Sequence, residues 1–220
     1  MEQLAKHVLI VTSVDAEKTA ILSGIQDRQT LEIDVHTVGV GSVAAAVNTA
    51  NLLAKHSYDM VINMGVAGGF PSKAEIGDAV IATDITAADL GAESDDGFKP
   101  IEELGFGQSV LRSDNVLSER LTQGLKARCT FSIHRGPVVT LSTVTGTAKT
   151  LTELEKRVQG VVAEAMEGFG VATAATSANI PFLEIRTISN MVGPRDKSAW
   201  RLDVALHSLE HVSKHLKEVL

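Results

Sequence analysis

The chain has 220 residues, 44% hydrophobic and 21% charged, an ordinary globular composition with enough length for a sizeable core. Its net charge of −7 and isoelectric point near 5.5 argue against a nucleic-acid surface, which needs a concentrated basic stripe, but leave room for a small anionic substrate held by one or two cations. The single cysteine, Cys129, excludes an internal disulfide, and the apolar run Val8–Val11 is too short for a signal-peptide core or a membrane span, so a cytoplasmic location is expected.

His7–Thr12 is a continuous β-branched run, the pattern of a strand buried on both faces. Asp15-Ala16-Glu17-Lys18 opens a helix with Ile21, Leu22 and Ile25 apolar. A second strand is expected over Asp34–Val40, ending in Gly39-Val40-Gly41, with Ser42 as N-cap of a helix over Val43–Lys55. Asp59–Val66 reads as a third strand, stopped by the turn Ala67-Gly68-Gly69-Phe70-Pro71, and Gly77–Asp84 as a fourth. Gly91–Gly107 is acidic and irregular yet carries Phe98, Leu104 and Phe106, and long irregular segments in compact domains are usually functional. A helix over Asn115–Arg128, a strand over Gly136–Thr143 and a helix over Ala148–Val158 follow. Then come a strand over Gly160–Met166, a Gly/Ala-rich helix from Glu167, a strand over Pro181–Ser189 and an amphipathic helix over Ala199–Val219. No repeat or linker interrupts this alternation, so one domain over 1–220 is expected. Its fold class is α/β, a three-layer α/β/α sandwich around a central mixed sheet.

Several patterns bear on chemistry. Gly39-Val40-Gly41-Ser42-Val43-Ala44 fits a dinucleotide fingerprint, but it follows the second strand and its only acid about twenty residues on, Asp59, opens a strand; a structural turn is the better reading. Asn63-Met64-Gly65-Val66-Ala67-Gly68-Gly69 lacks the Lys and Ser/Thr of a P-loop. The row His207, His211 and His215 reads as a polar helix face, and no metal-ligand spacing is present, so neither metal nor cofactor is expected. Two carboxylates stand in the small, apolar run Val161–Ala175. Glu164 reads as a partly exposed acid at a helix N-terminus, and Glu167 as a ligand-binding acid at a strand-to-helix junction, where open α/β sheets place their ligands.

Taken together, four pieces resemble the purine nucleoside phosphorylase and nucleosidase superfamily over essentially the whole chain. They are Val14-Asp15-Ala16-Glu17, Gly65-Val66-Ala67-Gly68-Gly69, Ala165-Met166-Glu167-Gly168 and Arg186-Thr187-Ile188-Ser189-Asn190. Ala88–Glu93, Glu164–Ala172 and Ser189–Asp196 are similar in detail to the branch that hydrolyses a 5′-modified inosine carrying an aromatic carboxylate beyond C5′. The resemblance implies roles. Glu17 matches the water-activating glutamate, Glu167 the glutamate holding ribose hydroxyls and Met166 the residue packing on the sugar, with Val66, Ala67 and Gly68 lining the water site by their backbone. Asn190 stands where adenine-specific members carry Asp; an amide NH2 can donate to O6 and N7 of a 6-oxopurine, and a carboxylate cannot. Phosphorylases of the superfamily place an arginine soon after the first strand, whereas here Asp15 and Glu17 occupy that place and the first arginine is Arg28, so hydrolysis is expected. Phe98, Phe106 and Lys99 are candidates for the substrate's tail; Arg195 either joins them or pairs with Asp196 or another buried acid. The resemblance also implies a homodimer or higher homo-oligomer, with a tail pocket shared between chains. The competing readings are a phosphorylase, a methylthioadenosine-type nucleosidase, or a non-catalytic nucleoside-binding protein, which would have no need of a carboxylate at Glu17.

Overall fold

The continuously apolar run Val8–Val11 becomes the buried middle of an interior strand. In the computed structural model, which describes residues 6–25 and 31–220, β1 (His7–Thr12) lies between β2 (Glu32–Thr37) and β3 (Met60–Gly69), parallel to both; Arg28 lies outside the described residues. Its side chains alternate between two cores. Val8 and Ile10 join Ile21, Leu121, Leu209 and Leu216, whereas Leu9 and Val11 join Ala45, Val171 and Ala175. Period-two alternation into two apolar layers is why every residue from Val8 to Val11 is hydrophobic.

The helices divide accordingly. On one face lie α1 (Asp15–Gly24), α3 (Asn115–Lys126) and α6 (Leu202–Val219). On the other lie α2 (Ser42–Lys55) and α5 (Gly168–Ser177), giving the expected three layers. α2 and α5 pack closely: a Cβ on Gly170 would stand 2.0 Å from the Ser42 carbonyl oxygen, so a side chain there would force the helices apart.

The mixed sheet also closes on itself. β3 pairs in parallel with β10 (Phe182–Met191), β10 runs antiparallel to β4 (Ala79–Ala87), and β4 runs parallel to β8 (Ile133–Thr140). The ring is completed by β9 (Ala163–Ala165), parallel to β8 and antiparallel to β3 through Gly68↔Glu164 and Gly69↔Ala163. That junction brings the C-terminal ends of β3 and β10 beside the start of α5, where the candidate residues sit.

Several expected boundaries move, each for a local reason. β2 stops at Thr37 because the backbone turns at Gly39 and Gly41, both at φ +89°. Gly41, rather than Ser42, is the N-cap of α2, and Ser42 is its first helical residue. The Ala67-Gly68-Gly69 segment belongs to β3, because β9 and β10 both pair with it. β9 has three residues where seven were expected, since Gly160 at φ +76° still belongs to a turn. The irregular segment contains a hairpin, β5 (Gly91–Ser94) with β6 (Gly97–Pro100), and β7 (Val110–Arg112) adds to the edge of β4. α4 (Ala148–Arg157) is capped by Thr147, which accepts from the Thr150 amide. A 3-10 turn at Lys197–Ala199 precedes α6. Among the described residues no helix is long and apolar enough to cross a membrane.

Candidate active site

Glu17 is held in the first turn of α1 and is buried at 1% exposure. Its Oε2 accepts from the Ser13 amide at 2.9 Å, the Ser13 hydroxyl at 2.7 Å and the Val14 amide at 3.2 Å. Its Oε1 accepts from the Val66 amide at 2.8 Å, which ties α1 to the end of β3 and leaves that oxygen a lone pair for a further donor. Gly65 makes room: a Cβ there would stand 2.5 Å from Glu17 Oε1 and 2.9 Å from Arg186 Nη1.

Glu167 is buried as the N-cap of α5. Its Oε1 accepts from the Gly41 amide at 3.1 Å and its Oε2 faces Arg186 Nη2 at 3.4 Å. So Gly39-Val40-Gly41 is a structural turn that presents one amide to this acid, consistent with the turn reading of that fingerprint. Met166, half-buried, directly precedes Glu167 at the β9–α5 junction.

Arg186, on β10, is the residue that sequence reasoning missed. It stood in the quoted motif without a role, yet it is buried at 1% exposure and pairs with Glu167 and Glu184. Its Nε donates to Glu184 Oε1 at 2.7 Å, and Glu184 also accepts from Asn63 Nδ2 at 3.3 Å. Burial works to lower the guanidinium, but the carboxylates of Glu184, Glu167 and Glu17 outweigh it and push it up. Burial pushes the Glu184 carboxyl up, with Arg186 opposing. The signal in the sequence was the pair Glu184 and Arg186, two residues apart and therefore on one face of a strand read as buried.

Asn190 lies past a bulge in β10, half-exposed, next to Gly68. Its Oδ1 accepts from the Ser189 hydroxyl at 2.9 Å, and its Nδ2 donates to the Met191 carbonyl at 3.2 Å, leaving one amide hydrogen free. It lines a cavity of about 100 Å³ together with Thr145, Arg195 and Trp200. Arg195 does not pair with Asp196, which accepts from the amide and hydroxyl of Ser198 instead. The Arg195 amide donates to the Gly146 carbonyl at 3.3 Å, joining the two walls of this cavity.

Glu164 corrects its sequence reading. It is not a partly exposed acid at a helix N-terminus: it lies in β9, 6% exposed, because the closing strand turns it under the 141–147 loop. Its Oε1 accepts from the Thr145 amide at 2.8 Å and its Oε2 meets the Thr145 hydroxyl. Burial pushes this carboxyl up while the Thr145 donors oppose the shift.

Of the other candidates, Val66, Ala67 and Gly68 lie where expected, and Val66 contributes its amide to Glu17. Phe98 and Phe106 do not join the cavity of Asn190 and Arg195. Phe98 lies under the Arg157 guanidinium, 3.8 Å from its ring centroid, and lines a second cavity of about 690 Å³; Phe106 is 72% exposed. Among the described residues no cluster of His, Cys, Asp or Glu has metal-binding geometry, and the His207 and His211 rings meet edge to face.

The arrangement brings together a buried acid with a spare lone pair, a second acid held by a guanidinium, and an amide donor beside a small cavity. Comparison with known proteins matches the model of the phosphorylase superfamily over residues 15–220. The chain is 40% identical to a futalosine hydrolase of Streptomyces coelicolor, covering 97% of this chain and 96% of that protein. It is 44% identical to a futalosine hydrolase of Acidothermus cellulolyticus, covering 92% and 87%. In fold it is similar to a crystal structure of 5′-methylthioadenosine/S-adenosylhomocysteine nucleosidase from Neisseria meningitidis in complex with methylthio-immucillin-A. That match has a TM-score of 0.84 and 20% identity, and covers 97% of this chain and 99% of that one.

Proposed function

The chain belongs to the phosphorylase superfamily, and within it we propose an N-ribosidic hydrolase that cleaves futalosine, a 5′-modified inosine, to hypoxanthine and dehypoxanthine futalosine, a step of menaquinone biosynthesis. The observation that carries the choice of hydrolysis is Glu17: a buried carboxylate stands where a phosphorylase would need a cation for phosphate, and an anion there repels phosphate while it can orient water.

Cleaving an N-ribosidic bond passes through an oxocarbenium-like ribosyl cation. In this reading the spare lone pair of Glu17 Oε1 accepts from the attacking water, beside the backbone of Val66, Ala67 and Gly68. Glu167 accepts from the ribose hydroxyls, its own position fixed by the Gly41 amide and Arg186. Its negative charge, with that of Glu17, also favours the cation that forms between them. Met166 packs on the sugar. The free amide hydrogen of Asn190 donates to the departing base, whose 6-oxopurine edge offers acceptors at O6 and N7. No cofactor is needed.

Arg195, beside the base cavity, and Phe98 and Phe106, outside it, are assigned to the aromatic carboxylate tail. Because the phenylalanines stand apart from Asn190 within one chain, this assignment requires a homodimer or higher homo-oligomer in which a neighbour supplies them. The enzyme acts in the cytoplasm.

The test is release of free base from futalosine, inosine and methylthioadenosine by the purified protein. Futalosine should be cleaved fastest and methylthioadenosine least. Faster adenine release from methylthioadenosine would replace this reading with the adenine-specific nucleosidase.

A further inference from the structure

Glu164 is a buried acid that the chemistry above does not use. Among the described residues no cation pairs with it, and its partners are the amide and hydroxyl of one residue, Thr145. Thr145 also lines the cavity that contains Asn190. We propose that Glu164 and Thr145 form a base-reading pair: Glu164 commits the Thr145 hydroxyl hydrogen, so that Thr145 presents only lone pairs to the cavity and accepts from the N1–H of a 6-oxopurine. The inference rests on the reading of this cavity as the base site.

The argument is one of donors and acceptors. A backbone amide can only donate, so Glu164 Oε1 is an acceptor. Both Thr145 donors favour the ionised carboxylate against the upward push of burial, and an ionised carboxylate has no hydrogen to give, so the contact at Oε2 is made by the Thr145 hydroxyl donating. A hydroxyl has one hydrogen and two lone pairs, and with its hydrogen spent Thr145 can act toward the cavity only as an acceptor. Across the cavity Asn190 spends one Oδ1 lone pair on the Ser189 hydroxyl and keeps an amide hydrogen free, so it can donate toward the base. The walls therefore offer one acceptor and one donor. A 6-oxopurine presents the complement, a hydrogen at N1 beside acceptors at O6 and N7. Adenine presents a bare N1, which would meet the Thr145 lone pairs, and a 6-amino hydrogen, which would meet the Asn190 amide hydrogen.

The cavity walls are fixed well enough for such a distinction. β9 holds Glu164 in register with Gly68, whose lack of a side chain admits Asn190, and the Gly146 carbonyl accepts from the Arg195 amide across the two loops. Thr145 is the specificity-determining residue, and Glu164 acts through it as a positioning residue.

Two variants test the pair, with hypoxanthine and adenine as probes in calorimetric titrations of the intact protein. Glu164→Gln keeps an oxygen for the Thr145 amide but places an NH2 group against the hydroxyl, whose hydrogen then turns toward the cavity. The ratio of hypoxanthine to adenine affinity should fall by about tenfold or more, with adenine binding strengthened, since each mismatched buried polar group costs about 1–3 kcal/mol. Thr145→Val removes the acceptor at nearly constant volume and should weaken hypoxanthine about tenfold while changing adenine little. Equal loss of both bases in Glu164→Gln would mean mere support of the loop and would overturn the proposal. An unchanged ratio in Thr145→Val would do the same if Glu164→Gln does not fold. A wild-type protein without preference for hypoxanthine would overturn both this inference and the base assignment. If wild-type protein prefers hypoxanthine but does not cleave futalosine, the proposed function falls and the pair can still stand.

Discussion

Three carboxylates, Glu17, Glu167 and Glu184, surround one guanidinium, Arg186, at the proposed ribose end of the site. At the base end Glu164 is buried and, among the described residues, has no cation and meets only the two donors of Thr145. The difference follows the chemistry asked of each end. A developing ribosyl cation is stabilised by net negative charge held in a fixed geometry, and a lone arginine among acids fixes that geometry while leaving charge to spare. A neutral base is told from its analogues by which atoms carry hydrogens, and for that a carboxylate serves best by settling the direction of a neighbouring hydroxyl.

The largest expected effect tests the ribose end directly. Glu17→Gln should lower kcat for base release by about 10²–10⁴-fold, the usual worth of a general base, with base binding retained. Retained turnover in that variant would break the comparison, because the acids would then be scaffolding, and base binding without turnover in the wild type would favour the binding-protein reading. Arg186→Met should cost about 3–5 kcal/mol in denaturant unfolding, since it leaves Glu184 and Glu167 buried and uncompensated. A loss below about 1 kcal/mol would show that the acids do not need the guanidinium. At the base end Asn190→Asp should move preference from hypoxanthine toward adenine by about tenfold, while leaving stability nearly unchanged at this half-exposed position.

The smallest effect belongs to a control at the opposite edge of the sheet. There desolvation would raise Asp34, but hydrogen bonds from Tyr58 at 2.9 Å and His7 at 3.1 Å outweigh it and hold the carboxyl below its usual range. A depressed acid contributes stability that is present above its unfolded pKa and is lost as pH falls through the folded one. Asp34→Asn should therefore flatten the acid limb of a stability–pH curve below about pH 4 and leave base discrimination untouched. A shift in discrimination would show that the two sheet edges are coupled.

The sequence made the layered α/β alternation legible because strands such as β1 feed two cores and must be apolar throughout. Glu167 was legible because it stands at a strand-to-helix junction inside a run of small residues, and Glu17 through the resemblance carried by Val14-Asp15-Ala16-Glu17. Arg186 and Glu164 were not. An arginine in a strand and an acid near a helix start usually face water, and their burial here is decided by pairings distant in sequence: β10 with β3, and the three-residue β9 with both β8 and β3. A strand that short has no periodicity to read. β7 and the β5–β6 hairpin escaped for the same reason, and the extension of β3 through Gly68 and Gly69 was hidden because glycines at a strand end read as a turn.

The central claim is that Glu17 serves water rather than phosphate. It is tested most directly by following hypoxanthine release from futalosine in phosphate-free buffer and then with phosphate added. The account predicts full turnover without phosphate and no acceleration by it. Strict dependence on phosphate would contradict it, and the carboxylate beside Val66 would need another role.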